Sequence, residues 1–123
     1  MADPTSFYTG WLVDPDARAA LLARFPPRYG IVVAHHVTLK FGDETAEGPA
    51  ETAAQIVGEA DDGEGVQALV VAIGGSLTRP DGGLFHITWS LAEGREARES
   101  NVVIARGWTP IAAPVAARLI PKP

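Results

Sequence analysis

Two stretches of this chain alternate polar and apolar side chains one for one: His36-Val37-Thr38-Leu39-Lys40-Phe41 and Phe85-His86-Ile87-Thr88-Trp89-Ser90. A period of two is the signature of a β-strand with one face in a core, and a helix does not produce it. The alternation also assigns faces. Val37, Leu39 and Phe41 share one side of the first strand, and His36, Thr38 and Lys40 share the other. In the second, Phe85, Ile87 and Trp89 oppose His86, Thr88 and Ser90. Any fold for this chain must bury one row of each strand.

The remaining elements follow from local signals. Phe7 to Val13 is aromatic and branched, and reads as a strand. Asp14-Pro15-Asp16 starts a helix: Asp14 caps, Pro15 suits the first turn and Asp16 sits at the positive end of the dipole. The helix shows Ala17, Leu21, Leu22 and Phe25 on one side and ends at Pro26-Pro27. Ile31 to Ala34 reads as a short strand or an extended lead-in, and Gly42-Asp43 as a turn. Glu51 to Ala60 is compatible with a helix, but Ile56-Val57-Gly58 and the turn at Asp61-Asp62-Gly63 favour a strand. Val66 to Ile73 is apolar enough for a central strand, and Ser76 to Gly83, with Arg79-Pro80-Asp81-Gly82, has turn chemistry. Glu99 to Ala105 reads as a short helix capped by Ser100 or Asn101 and ended by Gly107. Ile111 to Ile120 reads as a last strand, with Pro114 arguing for an edge position. The sum is an α+β fold of antiparallel sheets with two short helices on their outer faces, in the order strand–helix–strands and then strands–helix–strand, two halves similar in plan.

With 123 residues the chain is expected to be a single domain spanning 1–123. No apolar run suits a membrane span and the N-terminus lacks signal-peptide features, so the expected setting is the cytoplasm. There is no cysteine, which removes disulfides, thiolate metal sites and thiol nucleophiles and leaves three histidines for imidazole chemistry. A formal charge of −5 argues against a grip on long nucleic acid, which needs a basic surplus. A small phosphorylated ligand or a strand end needs only one or two cations.

Within each alternating strand a histidine is followed two places on by a threonine. Residues i and i+2 share a face, so His36 brings Thr38 beside it and His86 brings Thr88. Serine and threonine fill 12 of 123 positions. Two of three histidines carrying one at +2 is therefore roughly a 3% coincidence, which makes the pair specific where either half is not. Phosphodiester chemistry uses such a set: one imidazole takes a proton, the other gives one, and the hydroxyls bind phosphoryl oxygens. Lys40 lies on the same face and is a candidate phosphate contact, as is Arg79 in the loop before the second strand, although a solvated surface position suits either. Tyr8 and Trp11 are candidates for stacking on a base, against a plain core role. His35 falls on the face opposite His36 and reads as structural or exposed.

The paired His-apolar-Thr-apolar motifs resemble those of the two-histidine (2H) phosphoesterase superfamily, which includes RNA 2′,3′-cyclic phosphodiesterases and 2′-5′ RNA ligase-like proteins. The resemblance implies two similar lobes of antiparallel sheet with a cleft between them, each lobe supplying one motif. It implies His36 and His86 as the acid/base pair and Thr38 and Thr88 as phosphate-binding hydroxyls, while Lys40, Arg79 and Tyr8 stand as candidate substrate contacts on their positions alone. It implies no metal and no cofactor, a nucleotide or RNA-end phosphate as substrate, and a monomer. Which histidine is the base stays open. Two other readings compete. One is a non-catalytic nucleotide or RNA-end binding module of the same fold. The other is a vicinal oxygen chelate metalloprotein, whose strands also begin with metal-binding histidines.

Overall fold

Asp14 opens the first helix by accepting hydrogen bonds from the backbone N–H groups of Asp16 and Ala17, both at 3.1 Å. Its apolar side turns Leu21 and Phe25 inward, with Ala17 and Leu22 packed beside them. The computed structural model describes residues 8–41, 52–79 and 82–122. The side chains of Tyr8, Thr9, Lys40, Phe41, Thr52 and Lys122 lie outside the described set, as do Gly42-Asp43 and Pro80-Asp81 from the expected turns. In chain order the elements are β1 (Tyr8–Val13), α1 (Pro15–Arg24), β2 (Ile31–Val32), β3 (His36–Phe41), β4 (Thr52–Asp61), β5 (Val66–Ile73), β6 (His86–Leu91), α2 (Glu99–Arg106) and β7 (Thr109–Lys122). The stretch ambiguous between helix and strand is therefore a strand from Thr52 onward.

The described strands form one antiparallel sheet in the order β2-β6-β5-β4-β7-β1-β3. Its two faces carry two cores. Trp11, Val37, Leu69, Ile87 and Trp89 pack with α1 on one side. Ala68, Val70 and Leu91 pack with Val103 and Ile104 of α2 on the other. Trp89 is fully buried, and its indole N–H donates to the Phe25 carbonyl at 2.7 Å, tying β6 to the end of α1.

The sheet curls until its ends meet. β2 and β3 are one run of chain, yet β2 pairs with β6 while β3 pairs with β1. Beyond β2 the Val33 N–H donates to Trp89 O and the Ala34 N–H to Thr88 O, both at 3.0 Å. The chain then changes partner: the Val13 N–H donates to His35 O at 2.9 Å, and Leu12 faces His36. The pivot is Ala34, fully buried and with φ of 44°. A left-handed conformation costs a non-glycine residue about 1–2 kcal/mol. Arg18 of α1 secures the pivot by donating from Nε to the Ala34 carbonyl at 2.8 Å. At the other side of β3, Gly10 lies so close that a Cβ there would sit 3.1 Å from Thr38 Cα, which is why β1 has no side chain at this point.

Two sequence expectations are corrected. Pro114 does not mark an edge strand, because β7 lies between β4 and β1. The proline is accommodated where the ladder to β4 breaks: Val115 pairs with Ile56 and Pro110 with Gly58, so residues 111–114 bulge out of register. The pairing with β1 begins only at Leu119, which leaves Pro114 without a donor to supply on either side. The second helix is not capped by Ser100 or Asn101. Arg98 holds the cap position and makes no side-chain cap bond, and Ser100 is buried against the sheet instead. Among the described residues no helix is long and apolar enough to cross a membrane.

Candidate active site

The alternation of β3 and β6 puts Val37, Ile87 and Trp89 into the α1 core with no exposed surface, as the pattern requires. His36 and Thr38 therefore share the opposite face of β3, and His86 and Thr88 that of β6. The two strands are brought together by the chain crossing at Ala34. There the chain leaves β6 for β1, so β3 lies beside β6 without being its ladder partner. β3 and β6 indeed approach within 8 Å between Cα atoms.

His86 is half-buried, at the wall of a cavity of about 350 Å³ formed with Arg79, Gly83, Leu84, Asn101 and Ile104. Its Nδ1 lies 2.9 Å from the Leu84 carbonyl oxygen. A carbonyl only accepts, so Nδ1 carries the proton and Nε2 of the neutral ring is a hydrogen-bond acceptor. Burial pushes the His86 pKa below its ordinary 6.5; the Leu84 bond opposes this in part, and the nearby Arg79 cation adds a smaller push downward. Burial thus favours the neutral ring, and the Leu84 contact defines which nitrogen is basic.

Arg79 is not the surface residue its loop position suggested. It is 7% exposed, folded over Gly83, with Nη2 at 3.4 Å from Asn101 Oδ1. A Cβ on Gly83 would lie 2.9 Å from the Arg79 Cζ, so glycine is what lets the guanidinium lie against the loop. Gly83 and Asn101 were not signalled by the sequence, since one contributes only absence of bulk and the other comes from a distant helix.

The two threonines differ. Both are buried, Thr38 at 6% and Thr88 at 7% exposure. Thr88 Oγ1 is engaged by α2, within 3.2 Å of the Ala97 carbonyl and 2.9 Å of Ser100 Oγ. The first turn of α2 therefore lies over the motif face of β6, not over its apolar face. Ser90, the next polar residue, bonds Gln67 Oε1 at 2.6 Å and receives the Tyr29 N–H, which fastens the segment after α1.

His35 is exposed, as the sequence suggested, but it is not turned to the face opposite His36. It precedes β3 and follows the left-handed Ala34, so strand alternation does not govern it. Its ring meets that of His36 edge-on, with centroids 5.3 Å apart and the two Nδ1 atoms at 3.1 Å. Trp11 is a core residue, in edge contact with Phe85 at 5.9 Å. The side chains of Tyr8 and Lys40 lie outside the described residues. Among the described residues no three His, Asp or Glu side chains gather as a metal-ligand set. A larger hollow, about 880 Å³, lies beside the start of α1, but its Asp14 is committed to capping and it holds no histidine.

No family model, no curated protein and no solved structure matches this chain.

Proposed function

We propose that this protein is a metal-independent two-histidine phosphodiesterase acting on a nucleotide or RNA-end 2′,3′-cyclic phosphate, or on a related 2′-phosphoester. The observation that carries the reading is the approach of the two His-x-Thr strands within 8 Å between Cα atoms, together with a cavity of ligand size that sets His86 beside Arg79 on the β6 side. In this reading His86 is the general base, because its Nδ1–H is committed to Leu84 and its Nε2 lone pair accepts the proton of the attacking water. His36, protonated, gives its proton to the departing ribose oxygen. One proton is taken and one given, so the pair ends with its protonation states exchanged. Arg79 and Thr38 hold the phosphoryl oxygens as charge builds on them.

The bilobal cleft of the 2H family would correspond here to the seam where the curled sheet brings β3 to β6. A substrate of nucleotide or RNA-end size, a monomer and a cytoplasmic setting complete the proposal, and the −5 charge suits a short substrate better than a long duplex. A second reading, a binding module without turnover, is favoured by one observation: the Thr88 hydroxyl is already spent on α2. A panel of 2′,3′-cyclic nucleotides and 2′-5′ dinucleotides assayed in EDTA separates the two. Turnover that persists in chelator and falls about 10²–10⁴-fold in both His36→Ala and His86→Ala supports the enzyme. Binding without turnover supports the module, and loss of turnover in EDTA would refute the metal-independent mechanism.

A further inference from the structure

We infer that His35 is a positioning residue for His36: through the Nδ1–Nδ1 contact it fixes the ring of His36 and assigns proton delivery to His36 Nε2. The inference rests on the phosphodiesterase reading for its functional consequence, and on the 3.1 Å contact alone for its geometry.

Two facing ring nitrogens make a hydrogen bond only when they share one proton between them. Two bare nitrogens repel through their lone pairs, and two protonated ones through their hydrogens. When His36 carries the positive charge of a general acid, its Nδ1–H donates to a neutral His35 Nδ1. The proton that reaches the leaving oxygen is then the one on Nε2. After transfer His36 is neutral, its Nδ1–H still donated to His35, and its bare Nε2 regains a proton from water as His86 releases the one it took, which restores the starting states. His35 keeps its own Nε2 proton throughout, so no proton is lost from the balance. The arrangement parallels that on the other strand, where the Leu84 carbonyl accepts the Nδ1–H of His86. Each catalytic ring is thus held by Nδ1, one through a backbone carbonyl and one through a neighbouring imidazole.

The local backbone explains why a sequence neighbour can do this. Adjacent residues in a regular strand point to opposite faces. Ala34, at φ 44°, turns the chain just before His35, which lies outside the strand while its carbonyl is held by the Val13 N–H. The two rings consequently meet at 80° rather than diverging.

Histidine-selective ¹⁵N NMR on the intact chain tests this, with turnover of a 2′,3′-cyclic nucleotide measured in parallel on wild type, His35→Ala and His35→Asn. Asparagine places an amide oxygen near the position of the histidine Nδ1 and so keeps an acceptor without an imidazole. The expected result is a hydrogen-bonded Nδ1–H on His36 in wild type, lost in His35→Ala and retained in His35→Asn. In the alanine variant kcat falls roughly tenfold to a hundredfold with KM unchanged, as expected of a misaligned acid, and asparagine restores most of it. A His36 ring whose nitrogen resonances ignore His35→Ala overturns the inference whatever the activity. A ring that responds as expected, in a protein that turns over none of the substrate panel, upholds the contact and overturns its catalytic role together with the phosphodiesterase reading.

Discussion

Gly83→Ala isolates the contribution of Arg79, because it adds one methyl group where the guanidinium now lies. The φ of Gly83 is outside the left-handed region, so alanine introduces no backbone strain, and the entire effect comes from space. The added Cβ would start 2.9 Å from Cζ and 3.0 Å from Nε of Arg79, against 3.4–4 Å for ordinary contact. The guanidinium must therefore retreat by about half an ångström to one ångström, a distance at which misplaced groups lose up to roughly a hundredfold in rate. Its 3.4 Å approach to Asn101 is already long and does not survive the shift. Loss of that bond costs about 1 kcal/mol, or about 3–5 °C in Tm at this chain length. The variant should fold, lose roughly tenfold to a hundredfold in kcat/KM, and show a His86 pKa moved back towards its ordinary 6.5 as the cation withdraws. Steady-state kinetics, thermal unfolding and NMR titration of His86 give the three readings. Unchanged kcat/KM and an unchanged His86 titration in both Gly83→Ala and Arg79→Gln would show that the guanidinium does not act on this site.

The lowered pKa of His86 also makes stability depend on pH. The unfolded chain binds a proton near 6.5 and the folded ring resists it, so the His86 contribution to stability falls as pH drops below about 6.5 and levels off beneath the folded pKa. Urea unfolding of wild type and His86→Gln should differ by a constant amount above about pH 7.5 and by a shrinking one in acid, and a difference flat down to pH 5 would contradict the burial effect. Thr88→Val strips a partner from both Ala97 and Ser100 and should cost about 1–3 kcal/mol of unfolding free energy. Thr38→Val should instead lower kcat by tenfold or more with little change in stability. The opposite assignment of the two effects in paired denaturation and kinetic measurements would exchange their roles.

What the sequence revealed was local, and what it missed was set by partners far along the chain. Asp14, Pro15 and the spacing of Leu21 and Phe25 define α1 without outside help, and the alternation of β3 and β6 delivered the buried faces of Val37, Ile87 and Trp89. The same alternation could not say what covers the other face. Thr88 was legible as polar-facing, but its cover comes from Ala97 and Ser100 in a helix whose docking face no local signal marks. Arg79 is buried by a loop folding over Gly83, not by its own neighbours in sequence. The exposure of His35 was legible, but its face was misplaced because the strand period was carried back through Ala34, an alanine whose left-handed backbone has no signature in composition. Pro114 obeyed the rule against unpaired ladder positions through a bulge inside the sheet, where the rule had suggested an edge.

Ala34 also makes chain length at one point unusually consequential. The residues before it are registered on β6 and those after it on β1, so the two pairings are independent apart from the number of residues between them. A single residue inserted among 33–35 would leave Ile31 and Val32 on Leu91 and Ser90 while shifting β3 by one place against β1. Such a slip turns a whole strand over. Val37 and Leu39 would face outward, His36 and Thr38 would enter the α1 core, and one half of the proposed site would vanish with every residue of both motifs still present in the sequence.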